Sequence, residues 1–375
     1  MTNLKQSSFK TFTLELSVTE KCNLGCPYCY VANKNKFMTK ETFDENLPKV
    51  LEFMERSGTN KLNLSFFGGE PLLNWELIKH VTKIMREEYN DLLSGLVIIT
   101  NMTMIDQEKV DFIKEWGLGV SWSFDGITSN ETRPLLPMLE NKDASGVLYD
   151  GILDLYKDKM HLIRQITNGC KVMIWPGNVE QMVENYEFLL QMDINSPDFS
   201  IVRDDVWTKE DIISFRENCI KLADRYIEEV QKGTYTSIGF FKLHILDAIF
   251  GYTYGKRPFS CFAGTHGAVL TSEGDFYPCA RFAPKKIMKM DEDFNFSYWQ
   301  DELNPQNFDK CGSCDLYQVC NTGCSYSQIQ NGNKPLDSVC ELFHIIEEQS
   351  HRIVHELRDN DLFKDILTNT LKNVG

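Results

Sequence analysis

The chain has 375 residues, 42% of them hydrophobic, which is enough for one large domain or two to three modest ones. Its formal net charge of −15 argues against a nucleic-acid surface, which needs a basic face. It has no apolar run of the roughly 18 residues that a spanning helix needs, and its polar start is unlike a signal peptide. The sequence therefore predicts a cytoplasmic protein whose twelve cysteines are reduced and serve metal or redox chemistry.

Short apolar runs alternate with helix-length segments between residues 12 and about 197. Strands are predicted at 12–18, 62–67, 96–100, 118–124, 170–175 and 199–202. Because a crossover of helical length joins parallel strands, this repeat predicts an α/β fold with a parallel sheet. Six such units form a partial (β/α)6 TIM-type barrel rather than a closed eight-fold one.

Three positions in this repeat predict how helices begin. Asn74 is predicted to cap the helix after the second strand, and Asn178 with Gln181 to open another helix as a capping box. Pro48 predicts a kink or a late start in the first helix, because proline removes a backbone donor.

The pattern changes after this repeat. We predict an amphipathic helix over 208–231, an apolar helix over 240–250, a hairpin over 266–277 that turns at Glu273-Gly274, and a helix from 340 to about 371. The expected domains are the barrel at 1–235, a helical linker at 236–260, a small cysteine-rich domain at 261–345 and a C-terminal helix at 346–375.

Cys22, Cys26 and Cys29 stand in the segment Cys-Asn-Leu-Gly-Cys-Pro-Tyr-Cys, directly after the first strand. Three thiolates on one tight loop can hold three irons of a four-iron, four-sulfur cluster and leave the fourth iron without a protein ligand. Such an iron can bind a small molecule and pass it an electron. The alternatives are a zinc ion with a fourth ligand from elsewhere, or small thiols buried in a core.

Seven more cysteines lie in the last third of the chain, at 261, 279, 311, 314, 320, 324 and 340. A zinc ribbon or knuckle is one interpretation, since cysteines two residues apart are common there. Seven thiols are one short of two four-cysteine sites, so they fit one complete site and one three-ligand site better than a single zinc. The remaining two, Cys170 and Cys219, are interpreted as buried core thiols.

Three short motifs fall at predicted strand ends. Tyr28 precedes Cys29 in the first cysteine loop, Gly68-Gly69-Glu70-Pro71 ends the second strand, and Ser123-Phe124-Asp125-Gly126 ends the fourth. In this order they resemble the radical S-adenosylmethionine (SAM) enzymes, and the seven-cysteine array resembles their SPASM subfamily, which includes peptide-modifying maturases. Together the motifs span residues 12–345.

The resemblance implies a SAM-binding [4Fe-4S] cluster held by Cys22, Cys26 and Cys29. In the family, its open iron chelates SAM, which is cleaved to a 5′-deoxyadenosyl radical that takes hydrogen from the substrate. The SAM contacts that the resemblance implies are Tyr28 at the adenine, Gly68, Gly69 and Glu70 at the methionine amino group, Ser123 and Asp125 at the ribose, Arg133 at the carboxylate, and Asn101. The alternatives are ordinary turns for the glycines and for Ser123–Asp125, a surface position for Arg133 and a half-buried aromatic for Tyr28.

Two auxiliary [4Fe-4S] clusters are implied in the cysteine-rich domain. One would be held completely, by Cys311, Cys314, Cys320 and Cys340. The other would be held by Cys261, Cys279 and Cys324, with its fourth ligand left open. The implied cofactors are therefore SAM and three [4Fe-4S] clusters.

Most relatives with this array modify peptide or protein side chains. The resemblance therefore implies hydrogen abstraction from a peptide side chain, giving a thioether or carbon–carbon cross-link, or another oxidation, in ribosomal peptide maturation. A small-molecule substrate in natural-product or cofactor biosynthesis is the alternative, and a non-catalytic iron–sulfur or zinc protein is a second one. No catalytic residue is assigned: sulfatase maturases carry an acid after the cysteine that corresponds to Cys279, but Ala280 stands there.

The implied partners are the substrate and a flavodoxin or ferredoxin-type reductant. Lys285, Lys286 and Lys289 are either a docking patch for this reductant or a solvated loop. Only about a dozen residues precede the first strand, too few for a leader-binding domain. A peptide substrate is thus expected to need a separate recognition protein, direct binding of its leader by the barrel, or no leader. The loop over 131–146 is expected to shape the pocket.

Overall fold

The computed structural model describes residues 11–136, 149–250, 261–294, 308–317, 320 and 323–374. The chain divides into two compact, discontinuous units. One consists of Met1–Ser123, Arg133–Thr167 and Cys261–Asp301, and the other of Phe124–Thr132, Asn168–Ser260 and Glu302–Gly375. The domain boundaries expected from the sequence stay a prediction.

The described residues form eight strands and twelve helices. The strands are β1 (Thr11–Thr19), β2 (Lys61–Gly68), β3 (Leu93–Thr100), β4 (Gly119–Trp122), β5 (Gly169–Ile174), β6 (Ser196–Ile201), β7 (Gly267–Leu270) and β8 (Phe276–Tyr277). The helices are α1 (Lys40–Ser57), α2 (Trp75–Glu87), α3 (Gln107–Glu115), α4 (Ser129–Thr132), α5 (Ile152–Ile163), α6 (Met182–Gln191), α7 (Lys209–Gln231), α8 (Gly239–Phe250), α9 (Asp309–Gly312), α10 (Ser325–Gln330), α11 (Asp337–Leu357) and α12 (Asp361–Val374).

The first unit is built on a six-stranded sheet in the order β4-β3-β2-β1-β7-β8. Strands β1 to β4 are parallel, and helical segments follow β1, β2 and β3 along the chain. On β1, side chains alternate between the two faces of the sheet, so Phe12, Leu14 and Leu16 share one face and are completely buried. The face opposite to them carries the polar residues of β1, including Glu15 and Ser17.

The second unit contains the parallel pair β5–β6 and most of the remaining helices. Strands β1 to β6, with the intervening helices, have the repeat of a partial (β/α)6 barrel, as expected from the sequence. None of the helices in the described ranges is long and apolar enough to cross a membrane.

The hairpin predicted over 266–277 is confirmed by the antiparallel pair β7–β8. The sequence pattern did not indicate that β7 also pairs in parallel with β1, where Glu15 lies opposite Val269. This pairing gives β1 a partner on both edges, with β2 on the other side. The segment after Cys261 therefore begins by completing the sheet of the first unit.

Both asparagines expected to cap helices have other partners. Asn74 occupies the cap position of α2, but its side chain donates to Val18 O at 2.8 Å and Met38 O at 2.9 Å. Asn178 accepts a bond from Trp175 N at 3.0 Å, and a short 3-10 turn (Val179–Gln181) precedes α6. The predicted capping box at Asn178 is therefore wrong, because the side chain closes the strand-to-helix turn instead.

Two further helix predictions need correction. Helix α1 begins at Lys40, capped by Thr39, and Pro48 lies inside it, so the late start is wrong. The helix predicted from 340 to about 371 is two helices, α11 and α12, which are interrupted at 358–360. Most of the loop expected to shape the pocket, over 131–146, lies outside the described residues.

The start of α7 gives a direct test of local stability. Thr208 accepts a bond from Asp211 N at 3.1 Å, and the Asp211 carboxylate accepts one from Thr208 N at 2.8 Å, which completes a capping box. We expect Thr208→Ala to lower the free energy of unfolding by about 1 kcal/mol, because one helix N–H loses its acceptor. Urea unfolding measures this, with Thr208→Ser as the matched control that keeps the hydroxyl. An alanine variant as stable as the serine variant would contradict the prediction.

Candidate active site

The first cysteine loop leaves the carboxyl end of β1 and folds back on its own polar groups. Asn33 clamps the backbone of Cys22, since its side chain accepts from Cys22 N and donates to Cys22 O, both at 3.0 Å. Leu24 N donates to Cys22 Sγ at 3.4 Å, and Cys29 N donates to Cys26 O at 3.1 Å. Cys22 and Cys26 are half-buried and Cys29 is exposed, so the loop presents its thiols at a protein edge.

The two glycines of the second motif bring two backbones into direct contact. Gly69 N donates to Thr19 O and Glu70 N donates to Lys21 O, each at 2.8 Å. Gly68 has a φ of 128°, and a Cβ there would lie 2.1 Å from Thr19 O; a Cβ on Gly69 would lie 2.2 Å from Lys21 O. Only glycine fits at either place. These contacts join the loop after β2 to the start of the cysteine loop, and the implied contact of Gly68 and Gly69 with SAM stays a prediction.

Glu70 extends this connection to the third strand. Its side chain is completely buried, and its carboxylate accepts bonds from Leu72 N at 3.0 Å, Thr100 Oγ1 at 2.6 Å and Asn101 N at 2.8 Å. Burial raises the pKa of Glu70 to about 7, and the three hydrogen bonds oppose this rise. Glu70 thus fixes the loop after β3 against the loop after β2, and its predicted contact with SAM stays a prediction.

Asn101 returns the network to the cysteine loop. Its Nδ2 donates to Asn23 Oδ1 at 2.9 Å and lies 3.9 Å from Cys22 Sγ. Its Oδ1 accepts from Thr103 N and Thr103 Oγ1, and the Tyr156 hydroxyl donates to Asn101 O. The loops after β1, β2 and β3 are therefore one hydrogen-bonded assembly. Sequence reasoning missed Asn23 and Thr103, although Asn23 directly follows the first cysteine.

Tyr28 and Arg133, both expected to contact SAM, lie together in the first unit. The Arg133 guanidinium lies 5.5 Å from the centre of the Tyr28 ring, a cation–π distance, and only 6% of Arg133 is exposed. Although the Cys29 residue is exposed, desolvation by the surrounding protein raises the pKa of its thiol, and the Arg133 charge opposes this rise. Gly25 N donates to Pro134 O at 2.9 Å, so the arginine segment lies against the cysteine loop. The surface alternative for Arg133 is wrong.

Ser123 and Asp125 have separate local roles. Ser123 N donates to Thr100 O at 2.8 Å in the first unit. In the second unit, the completely buried Asp125 accepts bonds from Met173 N at 2.9 Å and Thr132 Oγ1 at 2.8 Å. Both oxygens of Asp125 therefore have protein donors, which favours the alternative of a structural turn at this motif. Ribose binding by these two residues stays a prediction.

The surroundings of Cys22 suit a thiolate that binds a cluster iron. Burial raises the pKa of the Cys22 thiol to about 12, and the nearby Glu70 and the other two cysteines raise it further. A thiolate there needs compensating positive charge, which iron supplies, and hydrogen bonds to sulfur such as that from Leu24 N are typical of iron–sulfur ligands. Among the described residues, no three His, Cys, Asp or Glu side chains converge as they would around one metal ion. The thiolates of a four-iron cluster bind different irons, so they stand further apart than ligands that share one metal ion.

Five cysteines of the second unit line one cavity that is open to solvent. Its walls include the four cysteines predicted to form a complete site, and also Cys324, His344 and Arg203. His344 Nε2 lies 3.4 Å from Cys314 Sγ. Burial raises the pKa of Cys340 to about 11, and the neighbouring Lys310 charge opposes the rise. The cavity brings the predicted set of Cys311, Cys314, Cys320 and Cys340 together, and the assignment of Cys324 to the other site stays a prediction.

The remaining cysteines divide as expected between half-buried and core positions. Cys261 and Cys279 belong to the first unit and are half-buried, one on each side of the β7–β8 hairpin. Cys170 on β5 and Cys219 on α7 are 4% and 0% exposed, which confirms that they are core thiols.

Comparisons with known proteins agree with the resemblance found in the sequence. Residues 16–145 match the Radical SAM superfamily. The chain is 22% identical to a serine-type anaerobic sulfatase-maturating enzyme of Bacteroides thetaiotaomicron, over 91% of each chain. It also resembles the solved structure of anSMEcpe with bound AdoMet and Cp18Cys peptide, with a TM-score of 0.69 and 20% identity over 93% of this chain and 99% of that one.

A further solved structure, Streptococcus suis SuiB bound to its precursor peptide SuiA, has a TM-score of 0.56 and 17% identity, and covers 88% of this chain and 76% of that one. Both structural likenesses show the fold.

A substitution at Gly69 tests whether the backbone contact between the two loops is required for stability and for iron binding. We expect Gly69→Ala to lower the free energy of unfolding by roughly 3 kcal/mol, because the added Cβ overlaps Lys21 O and forces the loops apart. We also expect it to reduce the iron bound per chain. Gly119→Ala is the matched control, since a Cβ there meets its nearest atom at an ordinary 3.4 Å. An alanine variant at Gly69 with normal stability and iron content would refute the contact's role.

The raised pKa of Glu70 predicts that the stability of the fold depends on pH. The folded state keeps the Glu70 proton up to about pH 7, while an unfolded glutamate releases it near 4.5, so folding binds a proton between these values. The stability contributed by this proton is present below about 4.5 and is lost as the pH rises to about 7. The wild type should therefore lose stability relative to Glu70→Gln as the pH rises from about 4.5 to about 7. The loss is about 1.4 kcal/mol for each unit by which folding raises the pKa.

Urea unfolding at several pH values measures this gap, and Glu108→Gln, at an exposed position on α3, is the control for the loss of one glutamate. A constant gap for Glu70→Gln would mean that Glu70 is ionised throughout and that the burial argument fails.

Proposed function

We propose that this chain, whose residues 16–145 match the Radical SAM superfamily, is a radical SAM enzyme that abstracts hydrogen from a peptide or protein side chain and so forms a cross-link or another side-chain oxidation. The observation that carries this proposal is the hydrogen-bonded assembly of three strand-end loops around Cys22, Glu70 and Asn101. It places three thiols, a buried arginine and a half-buried tyrosine within one unit, at the carboxyl ends of parallel strands. Barrel enzymes carry their active sites at that end.

The residues present fit the cofactors of the family. Cys22, Cys26 and Cys29 would hold the [4Fe-4S] cluster, which together with bound SAM supplies the 5′-deoxyadenosyl radical. Arg133 lies close enough to the cysteine loop to pair with the SAM carboxylate, since arginine forks match carboxylates. Tyr28 lies beside Arg133 and offers an aromatic face to the adenine. Asn101 and Glu70 position the loops.

Two further clusters are proposed for the cysteine array. The cavity lined by Cys311, Cys314, Cys320 and Cys340 would hold one, and Cys261, Cys279 and Cys324 would hold the other. Auxiliary clusters suit a net oxidation, because they give the electron left on the substrate an acceptor. A flavodoxin or ferredoxin-type reductant and a separate leader-recognition protein remain proposed partners.

A peptide substrate is supported by the complexes of similar proteins. The titles of two solved structures name a peptide bound to anSMEcpe and the precursor peptide SuiA bound to SuiB. Full-length similarity to a sulfatase-maturating enzyme points to the same substrate class. These likenesses do not distinguish between a cross-link and a simple oxidation as the product, and both fit the site.

Replacing one cluster ligand tests this proposal. After anaerobic reconstitution, about twelve irons per chain are expected for the wild type, as three four-iron clusters imply. Cys26→Ala should lower this to about eight and abolish release of 5′-deoxyadenosine from SAM under reducing conditions. Cys219→Ala, which removes a buried core thiol on α7, should leave both values unchanged. Zinc in place of iron, or deoxyadenosine release that survives in Cys26→Ala, would refute the proposal.

A further inference from the structure

His344 and Cys314 contact each other in the cysteine-lined cavity of the second unit. The Nε2 atom of His344 lies 3.4 Å from the Sγ atom of Cys314, although the two residues are 30 positions apart in the chain. Both side chains line the cavity, together with Cys311, Cys320 and Cys340 of the predicted four-cysteine site. A histidine nitrogen therefore lies directly against a thiol that the resemblance assigns to an auxiliary cluster.

Helix α11 places His344 beside the cavity. Cys340 and His344 are four residues apart on this helix, and residues with that spacing are neighbours on one helical face. About one turn further on, the buried Glu347 pairs with His244 of α8 at 2.5 Å, which ties α11 to its neighbour. The helix thus presents one predicted ligand and one histidine to the same cavity.

The Cys314 thiol is positioned by a folded loop that follows α9. Cys314 N donates to Cys311 O at 3.1 Å, and Tyr317 N donates to Cys314 O at 3.0 Å. The backbone makes these bonds, so they do not depend on His344. The two sides of the contact are therefore held by separate segments of the second unit.

A nitrogen and a sulfur at this distance are either two ligands of one metal ion or a hydrogen-bonded pair. Among the described residues, no third His, Cys, Asp or Glu side chain converges with these two around a single ion. The predicted set of four cysteines also supplies one thiolate to each iron of a four-iron cluster, which leaves no iron for a histidine. The contact is therefore interpreted as a hydrogen bond.

The donor in this hydrogen bond follows from the chemistry of a ligating thiolate. A cysteine bound to iron has lost its S–H hydrogen, so its sulfur can only accept. The Nε2 atom of His344 must therefore carry a hydrogen, which it donates to Cys314 Sγ.

This hydrogen bond is stronger when the cluster is reduced. An added electron increases the negative charge on the ligating sulfurs, and a hydrogen bond strengthens as its acceptor becomes more negative. Apolar side chains in the cavity wall increase the effect, because they lower the local dielectric constant. They are Leu316, Leu336, Val339 and Phe343. A donor at Cys314 therefore favours the reduced form.

Arg203 is a second source of positive potential at this cavity. It lines the wall, and its guanidinium lies 5.2 Å from the centre of the Phe343 ring. Its charge also favours the reduced form, but it stays in place when His344 is replaced. A substitution at His344 therefore isolates the contribution of the hydrogen bond.

We propose that His344 is a positioning residue that donates a hydrogen bond from Nε2 to the Cys314 thiolate and so raises the reduction potential of the cluster in this cavity. The inference rests on the proposed function, since it takes the cavity to hold an auxiliary [4Fe-4S] cluster. A higher potential makes this site a better acceptor for the electron that a net oxidation leaves on the substrate.

A redox titration of the reconstituted enzyme, monitored by electron paramagnetic resonance without SAM or peptide, tests the effect on the potential. In His344→Ala, the ratio of reduced to oxidised cluster at a fixed potential should fall about tenfold, the size expected for one hydrogen bond to a charged group. This fall equals a midpoint potential lower by about 59 mV for a one-electron couple. Cys311→Ala, which removes a predicted ligand, should alter the same transition and so assigns it to this cavity.

Two variants control this titration. His344→Gln keeps an N–H group that can reach the same sulfur, so its ratio should stay close to that of the wild type. His355→Ala removes an exposed histidine further along α11 and should leave every transition unchanged. Since His344 is itself exposed and alanine favours helices, His344→Ala should fold and bind about twelve irons per chain, as three clusters require.

Electron–nuclear double resonance on the reduced enzyme with ¹⁵N-labelled histidine tests the contact directly. The wild type should show a weak nitrogen coupling, transmitted through the hydrogen bond, that is lost in His344→Ala and kept in His355→Ala. A strong coupling, as from a nitrogen bound to iron, would overturn the proposal, because His344 would then be a ligand.

The outcomes separate this inference from the proposed function. An unchanged potential in His344→Ala, or a fall in its iron content to about eight per chain, overturns the role of His344 alone. Zinc in the cavity of the wild type overturns both the auxiliary cluster and the role of His344. A shifted potential in an enzyme that cleaves SAM but modifies no peptide supports the role of His344 and contradicts the peptide substrate.

Discussion

The candidate site depends on one steric constraint, the direct contact between the backbone after β2 and the backbone after β1. Gly68 and Gly69 allow carbonyl oxygens of Thr19 and Lys21 to occupy the space where side chains would otherwise stand. Two hydrogen bonds of 2.8 Å then fix the contact. Because the cysteine loop begins at this point, these glycines help to set the position of Cys22.

A buried charge extends this constraint across the sheet. Glu70 lies directly after the glycines. Its carboxylate accepts one bond from Leu72 N in its own turn and two from the end of β3 and the loop after it, from Thr100 Oγ1 and Asn101 N. Burying a carboxylate is unfavourable unless donors surround it, and here two backbone N–H groups and the Thr100 hydroxyl supply them. The same residue raises the pKa of Cys22. Ionised Cys22 and Glu70 would place two negative charges close together, and positively charged iron would neutralise them.

Much of this organisation follows from the sequence, because it rests on local patterns. The alternation of strands and helices predicted the partial barrel, and motif positions predicted which loops approach each other. The roles of individual side chains were less predictable, since they depend on partners distant in the chain. The resemblance implied ribose binding by Asp125, which stays a prediction, while its hydrogen bonds from Thr132 Oγ1 and Met173 N, which no local pattern indicated, favour a structural turn.

Glu15 shows how a signal in the sequence can be overlooked. It interrupts the apolar run from Phe12 to Val18, and alternation alone places it on the face opposite to the core. The partner of its side chain depends on the pairing of β7 with β1 and on the position of Ala280, which lies 265 residues further along the chain. No local pattern predicts a contact across that distance.

The most direct test of the account is whether SAM binds to the iron held by the first cysteine loop. Electron–nuclear double resonance on the reduced, reconstituted enzyme, with SAM labelled with ¹⁵N at its amino group and ¹³C at its carboxylate, measures this coupling. The account predicts hyperfine coupling of both labels to the cluster in the wild type, and its loss in Cys26→Ala. A wild-type cluster that shows no coupling to either label would contradict the central claim, because the open iron would then not be where SAM binds.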